Sequence, residues 1–192
     1  MENKELSQEE SLKVIDDMIH LAKNKITETG FHFLLWGILC ILASLSQYVL
    51  IVQGMASQSG LVWGVMTVIG VPIAIFYERN NHRKKQVSTK FDKIYGYLWL
   101  GFGITMFITI YLSAALNVYP ISFILVLVGL ATFVSGAINN FRPLIIGAVV
   151  FWLAAVLCPL LDGKMQLLVN ALAIFIGYII PGLLLRRKAK NS

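Results

Sequence analysis

Residues 76–103 read FYERNNHRKKQVSTKFDKIYGYLWLGFG, a dense basic run between two apolar segments. Runs of this kind occur in nucleic-acid-binding patches and in loops that membrane proteins retain in the cytoplasm. A nucleic-acid site would need a folded basic face of a known type, whereas the flanking Tyr77, Phe91 and Tyr95 match the aromatic belt at a membrane interface. We therefore interpret the run as a cytoplasmic loop and predict no nucleic-acid partner.

The composition favours lipid as the solvent of the folded chain. Of the 192 residues, 57% are hydrophobic and 14% are charged, against roughly 25% charged in an average soluble domain. A water-soluble core of this size could not enclose so much apolar surface. Residues 1–30 are polar and acidic, unlike the basic start of a cleavable signal peptide, so the first apolar segment should remain in the mature protein.

Six apolar segments are each close to the ~20 residues that a helix needs to cross the hydrocarbon core. They are residues 31–52, 60–77, 95–115, 118–138, 143–161 and 166–185. None alternates polar and apolar residues as a barrel strand does, and helices satisfy their own backbone hydrogen bonds in lipid. The sequence predicts an all-α integral membrane bundle of six transmembrane helices, spans 1–6, with consecutive spans packed as hairpins.

The Lys and Arg residues predict which side of the membrane each loop occupies. If the N-terminus is cytoplasmic, the inner segments are residues 1–30, 78–94, 139–142 and 186–192. These segments hold fifteen of the sixteen Lys and Arg, and Lys164 alone lies in an outer loop. Because Lys and Arg are retained on the cytoplasmic side, both termini should be cytoplasmic. The chain divides into a cytoplasmic helix at 1–30, a transmembrane domain at 31–185 and a basic tail at 186–192.

Basic residues near the inner surface are candidates for docking or for contact with lipid head groups. A juxtamembrane basic cluster is attracted to anionic lipids, and six of the candidates lie in one loop. The candidates are Arg79, Arg83, Lys84, Lys85, Lys90, Lys93 and Arg142.

Residues 7–29 have the pattern of an amphipathic helix. Ser7 and Glu10 have the spacing of a capping box, and apolar residues then recur at steps of three and four. Gly30 follows at a point where the helix can bend into span 1. Residues 1–30 carry a net charge of −3, and the loop 78–94 carries +4. We hypothesise that the acidic helix docks on this loop. The alternatives are an independent interfacial helix and a helix that binds a partner.

Small residues at helical spacing predict close packing between spans. The pairs are Gly60 with Gly64, Ala131 with Ser135, and Ala173 with Gly177. Such residues let helix backbones approach closely, within one chain or between copies of it. Each of the odd spans, 1, 3 and 5, has a glycine near its start, and a Gly or Pro follows each of them thirty-five residues later. This spacing predicts three repeated helical hairpins. The two sets are Gly37, Gly101 and Gly147, then Pro72, Gly136 and Gly182.

The spans lack the residues that intramembrane catalysis needs. They contain no Asp, Glu, Lys or Arg away from their ends, and the three His residues have no metal-site spacing. Residues 133–136, FVSG, lack the first Gly of a rhomboid-type protease motif, and the paired Glu9 and Glu10 lie outside the spans. Cys40 and Cys158 lie at different depths and should be free thiols. We predict no enzyme activity, no catalytic residue, no metal and no cofactor.

Three stretches resemble an uncharacterised family of small bacterial polytopic inner-membrane proteins with six spans. They are FHFLLWG at 31–37, FRPLIIGAVVFW at 141–152 and YIIPGLLLRRK at 178–188. The resemblance covers nearly the whole chain. It implies the inner membrane of a bacterium, and its motifs carry no assigned chemistry.

Two functions follow as predictions. The leading one is a non-enzymatic accessory or regulatory protein that acts through its cytoplasmic helix and basic loop. Its expected partners are anionic membrane lipids, another protein or a second copy of the chain. The alternative is a transporter or channel for a small neutral or weakly polar solute. Among the polar residues within the spans, the amides Gln47 and Asn170 cost the most free energy to place in lipid. For this role they are candidates to line a shallow polar pocket in the outer half of the membrane.

Overall fold

The chain is built from helices. A computed structural model describes residues 8–82 and 90–191, and the side chains of residues 30–80 and 93–187. Over these residues it contains no strand. The helices are α1 (Gln8–Val52), α2 (Leu61–His82), α3 (Lys90–Ala115), α4 (Ile121–Ile138), α5 (Arg142–Leu157), α6 (Gly163–Ile174) and α7 (Ile180–Asn191). A π-helical segment, Phe175–Ile179, joins α6 to α7.

Six helical stretches within the described chain are long and apolar enough to cross a membrane, which confirms the predicted number of spans. They are Gly30–Val52, Ala56–Asn80, Lys93–Ala115, Ile121–Ile138, Arg142–Leu160 and Gly163–Arg187. Span 6 therefore combines α6, the π-helical segment and α7. The limits differ from the predicted ones by a few residues, because helices continue past the apolar run into polar ends such as Asn80 and Arg187.

The first helix is uninterrupted over 45 residues, a length of roughly 68 Å. It passes through Gly30, where the sequence allowed a bend. Gly30 is instead a packing residue, because a Cβ at this position would lie 3.3 Å from the carbonyl oxygen of Gly182 on α7. The segment before Gly30 and span 1 thus form one helix. Docking of residues 1–29 on the basic loop depends on side chains outside the described residues and stays a prediction.

The spans pack in the spatial order 2-1-6-5-4-3. Packing is most extensive between α4 and α5 and between α1 and span 6. Span 2 lies along α1, and α3 lies along α4. Within the described chain, contact between α2 and α3 is marginal at most. The prediction that consecutive spans pack as hairpins is therefore wrong for spans 2 and 3. Span 3 instead reaches span 1, where Trp99 contacts Phe33.

Glycines set the closest approaches between spans. A Cβ at Gly147 on α5 would lie 2.7 Å from the carbonyl oxygen of Gly177, and one at Gly136 on α4 would lie 2.9 Å from the side chain of Ile145. These backbones approach closely because the glycines have no side chain. Fully buried side chains on α4, α5 and the turn after α5 include Leu125, Leu144, Ala148, Phe151 and Cys158.

The predicted small-residue contacts are confirmed for two of the three pairs. Ala131, Ser135, Ala173 and Gly177 are all buried. Gly60 and Gly64 are exposed, and no described atom lies within 4 Å of a Cβ at either position. The prediction of packing within the chain is wrong for this pair, and contact between copies stays a prediction.

The repeat of three hairpins is not confirmed. Gly147 packs against Gly177 of span 6, its own hairpin partner, whereas Gly37 packs against Ile179 of span 6, which belongs to another hairpin. Gly101, the member in the second hairpin, has no described atom within 4 Å of its Cβ position. The three positions therefore have three different environments.

The fold brings the described basic residues of the inner segments to one end of the bundle. We call this end of the bundle the basic end. Contacts of Phe31 with Tyr77, of Gly30 with Gly182 and of Gly136 with Ile145 define this end. Four exposed residues lie within five residues of these contacts in the chain: Arg79, Arg142, Arg186 and Arg187. Lys93, also exposed, lies six residues before Trp99, which contacts Phe33 of span 1. Lys164 lies at the opposite end, next to the contact of Gly163 with Tyr119. This grouping agrees with the predicted topology. The cytoplasmic identity of the basic end stays a prediction.

Candidate functional site

Three chain segments meet at the basic end, around the first turn of span 1. Phe31 stacks on Tyr77 with ring centroids 3.6 Å apart, and His32 Nε2 lies 3.5 Å from Glu78 Oε1. On its other side α1 packs against α7, where a Cβ at Gly30 would lie 3.2 Å from the side chain of Arg186. Span 1 is therefore held between the start of the basic loop and the start of the basic tail.

The predicted head-group candidates lie partly at this end. Arg79, Lys93 and Arg142 are exposed, as contact with a head group requires. Lys90 is the first residue of α3. Arg83, Lys84 and Lys85 lie outside the described residues. Their role in docking or lipid contact stays a prediction.

Gln47 and Asn170, the predicted pocket residues, bond to different partners near the opposite end. Asn170 Nδ2 donates to Ser44 Oγ at 2.8 Å and joins span 6 to span 1. Gln47 Oε1 accepts a hydrogen bond of 2.6 Å from Trp63 Nε1 and joins span 1 to span 2. The two amides thus hold neighbouring helices together, and a shared pocket between them stays a prediction.

A second set of polar groups, which sequence reasoning did not select, surrounds Tyr178 nearer the basic end. The ring of Tyr178 is buried against Phe33 of α1 and Phe151 of α5, with centroids 5.0 Å away in each case. Its hydroxyl lies 3.5 Å from Thr132 Oγ1 of α4. We define the Tyr178 cluster as Phe33, Trp99, Thr132, Ser135, Phe151 and Tyr178.

The π-helical segment that carries Tyr178 has a local cause. Pro181 has no N–H, so it cannot donate to the carbonyl of Gly177 four residues earlier, and its ring crowds that carbonyl. The widened turn lies directly before Pro181, and the Gly177 carbonyl fits against Gly147, which has no side chain. Single π-helical turns are frequent at functional sites. In the sequence, Pro181 could have indicated an irregular turn near Tyr178. It could not have indicated which helices pack around Tyr178.

Two members of the Tyr178 cluster have buried polar atoms that no described group satisfies. These atoms are Ser135 Oγ and Trp99 Nε1. Ser135 lies one turn after Thr132 on the same face of α4, and neither side chain is exposed. Trp99 packs edge to face against Phe33 and Phe102, with ring centroids 6.2 Å and 5.4 Å away. The two atoms belong to different helices, α3 and α4, and Trp99 is linked to Tyr178 through Phe33, whose ring contacts both.

The chemistry of the Tyr178 cluster is that of neutral hydrogen bonding. The segments 33–77, 94–141, 143–161 and 165–185 contain no Asp, Glu, Lys, Arg or His. Within the described chain no group of His, Cys, Asp and Glu is arranged to hold a metal ion. The cluster offers neutral hydroxyl and N–H groups, and Tyr178 is its one member of a residue type that can act as a general acid or base. No protein-family model, curated protein or solved structure matches this chain.

Proposed function

We propose that this chain is a non-enzymatic accessory or regulatory protein of a bacterial inner membrane, with both termini in the cytoplasm. It acts through its cytoplasmic helix and through the basic loop 78–94. Its partners there are anionic lipid head groups, which a juxtamembrane basic cluster attracts, or a protein that the acidic helix recognises.

The continuity of α1 supports this proposal. Residues 8–52 form one helix, so a partner that displaces the segment before Gly30 also displaces span 1. At the basic end span 1 contacts Tyr77 and Gly182, which directly precede the basic loop and the basic tail. A change at the membrane surface can therefore reach the spans through helix packing.

The packing of span 6 favours the accessory role over transport. Its two polar residues that bond to other spans are Asn170, toward one end, and Tyr178, toward the other. Ala173 and Ile174 lie between them in the helix and are buried, as is Phe151 on the facing helix. Within the described chain these apolar side chains separate the two polar groups, whereas a solute path would need to connect them.

Quantitative co-purification of the tagged full-length chain from gentle detergent tests the proposal. Each basic residue near an anionic surface contributes about 1 kcal/mol. The double charge reversal Lys84→Glu with Lys85→Glu should therefore reduce recovery of anionic lipid by about tenfold or more. The matched control is Lys164→Glu at the opposite end, which should leave recovery unchanged. Equal recovery with all three chains, or saturable flux of a neutral solute in proteoliposomes, would contradict the proposal.

A further inference from the structure

His32 of span 1 faces Glu78 of span 2 at the basic end. His32 Nε2 lies 3.5 Å from Glu78 Oε1, and the two side chains are 28% and 57% exposed. Both side chains therefore reach the surface, where they can exchange protons with water. The ring of Tyr77 lies edge-on to the imidazole, with centroids 6.1 Å apart, and stacks on Phe31. The two helices thus meet in an aromatic contact with a titratable pair beside it.

The strength of this contact depends on the protonation state of His32. The 3.5 Å between the two atoms exceeds the roughly 2.7–3.2 Å of an N–H···O hydrogen bond, so a neutral imidazole gains little from the carboxylate. The protonated imidazole carries a positive charge and donates from both nitrogens, and the charge attraction acts at this distance. Histidine ordinarily gains and loses this charge between about pH 5 and 8. The contact is therefore stronger at the acidic end of this range.

The basic residue that α7 brings to span 1 lies on the opposite side of the helix from this pair. The side chain of Arg186 lies 3.2 Å from the Cβ position of Gly30. Gly30 and His32 are two residues apart, so their side-chain directions differ by about 200° around the helix axis. Arg186 therefore approaches the side of α1 that faces away from His32, and Glu78 approaches the side that carries it.

Other titratable or charged groups lie near the pair in the chain or on the next helix. They are Arg79 and His82 on α2, Lys25 and Glu28 on α1, and Lys93 on α3. Arg79 and Lys93 are exposed, and the other three side chains lie outside the described residues. A histidine or an acid one helical turn from the pair can compete for one of its members. His82 and Glu28 have this spacing, so both need control variants.

We propose that His32 and Glu78 form a pH-sensitive latch between spans 1 and 2, which is closed while His32 is protonated and opens when His32 loses the proton. Because α1 is one helix, an open latch lets span 1 and the segment before Gly30 shift against the start of the basic loop. The latch itself follows from the packing of spans 1 and 2, and its regulatory use rests on the accessory role proposed above.

A double-mutant cycle at two pH values tests the latch in the purified full-length protein. The cycle uses His32→Gln, Glu78→Gln and the double variant, with stability measured by reversible unfolding in mixed detergent micelles. Exposed ion pairs are weak, so at pH 6 the coupling should be about two- to fivefold in the unfolding equilibrium constant. At pH 8 the coupling should be absent, because a neutral imidazole forms no ion pair.

The matched controls are the same cycle in chains that also carry His82→Gln or Glu28→Gln. Each control removes a competing group one turn from the pair and leaves His32 and Glu78 in place. The coupling at pH 6 should persist in both chains. Its loss in either one would assign the pH dependence to the competing group and contradict the latch.

The distance between the two helices gives a second measurement of the latch. Spin labels at positions 25 and 80, in a chain whose Cys40 and Cys158 are replaced by Ala, report how span 1 lies relative to the end of span 2. The distance distribution should broaden from pH 6 to pH 8, and with Glu78→Gln it should be broad at both.

Two results would overturn the latch. One is a coupling that is equal at pH 6 and pH 8, or absent at both. The other is a distance distribution that responds to pH in the same way with Glu78→Gln. The lipid-recovery experiment decides the accessory role separately, because charge reversal of Lys84 and Lys85 leaves His32 and Glu78 in place.

Discussion

Leu144→Ala should lower the free energy of unfolding by about 2–3 kcal/mol. Leu144 is 0% exposed and packs between α4 and α5, where its Cβ lies 3.0 Å from the Cβ position of Gly136. In soluble proteins Leu→Ala costs about 2–5 kcal/mol. The lower part of this range applies here, because in lipid the lost packing contributes and transfer to water contributes little.

The matched control for Leu144 is Leu153→Ala on the same helix. Leu153 is 66% exposed, so its side chain contacts lipid and little packing is lost on truncation. Reversible unfolding in mixed micelles of denaturing and non-denaturing detergent would measure both variants. Equal losses of stability in the two variants would show that α5 does not present Leu144 to the core.

Gly147→Ala should lower the free energy of unfolding by about 1–3 kcal/mol, although it adds a single methyl group. The new Cβ would lie 2.7 Å from the carbonyl oxygen of Gly177 and 3.0 Å from its Cα. These are backbone atoms, so no side-chain rotation can relieve the overlap, and α5 must move away from span 6. The widened turn before Pro181 fixes the Gly177 carbonyl in this position.

Gly64→Ala on α2 is the control for this change, because no described atom lies within 4 Å of the new methyl group. Ala has a higher helix propensity than Gly, by about 0.5–1 kcal/mol, so this variant should be as stable as the wild type or more so. The same detergent titration would compare the two. A Gly147→Ala protein as stable as Gly64→Ala would contradict the close approach of α5 and span 6.

Span number and span limits could be predicted from the sequence, because lipid requires apolar helices of a minimum length. The faces that pack could not. In water, a helix shows its buried face by the contrast between apolar and polar residues, but lipid and the protein interior are equally apolar. Leu144 and Leu153 therefore look alike in the sequence, as do Gly64 and Gly147, although one of each pair is buried.

The candidate site was hidden for the same reason. Thr132 and Ser135 were visible as polar residues three apart in an apolar span, but most such residues return a hydrogen bond to their own helix. Thr132 does so, to the Val128 carbonyl, and Ser135 does not. Only the packing of span 6 near this face brings the Tyr178 hydroxyl to Thr132.

Reporter fusions would test most directly the central claim, that lipid surrounds the six spans and that the basic end lies in the cytoplasm. A fluorescent protein fused after Lys190 should be fluorescent, and alkaline phosphatase at the same position should be inactive, because that enzyme needs export to the periplasm. Phosphatase fused after Lys164, in the predicted outer loop, should be active. Active phosphatase after Lys190, or a chain that remains in the soluble fraction without detergent, would contradict the account.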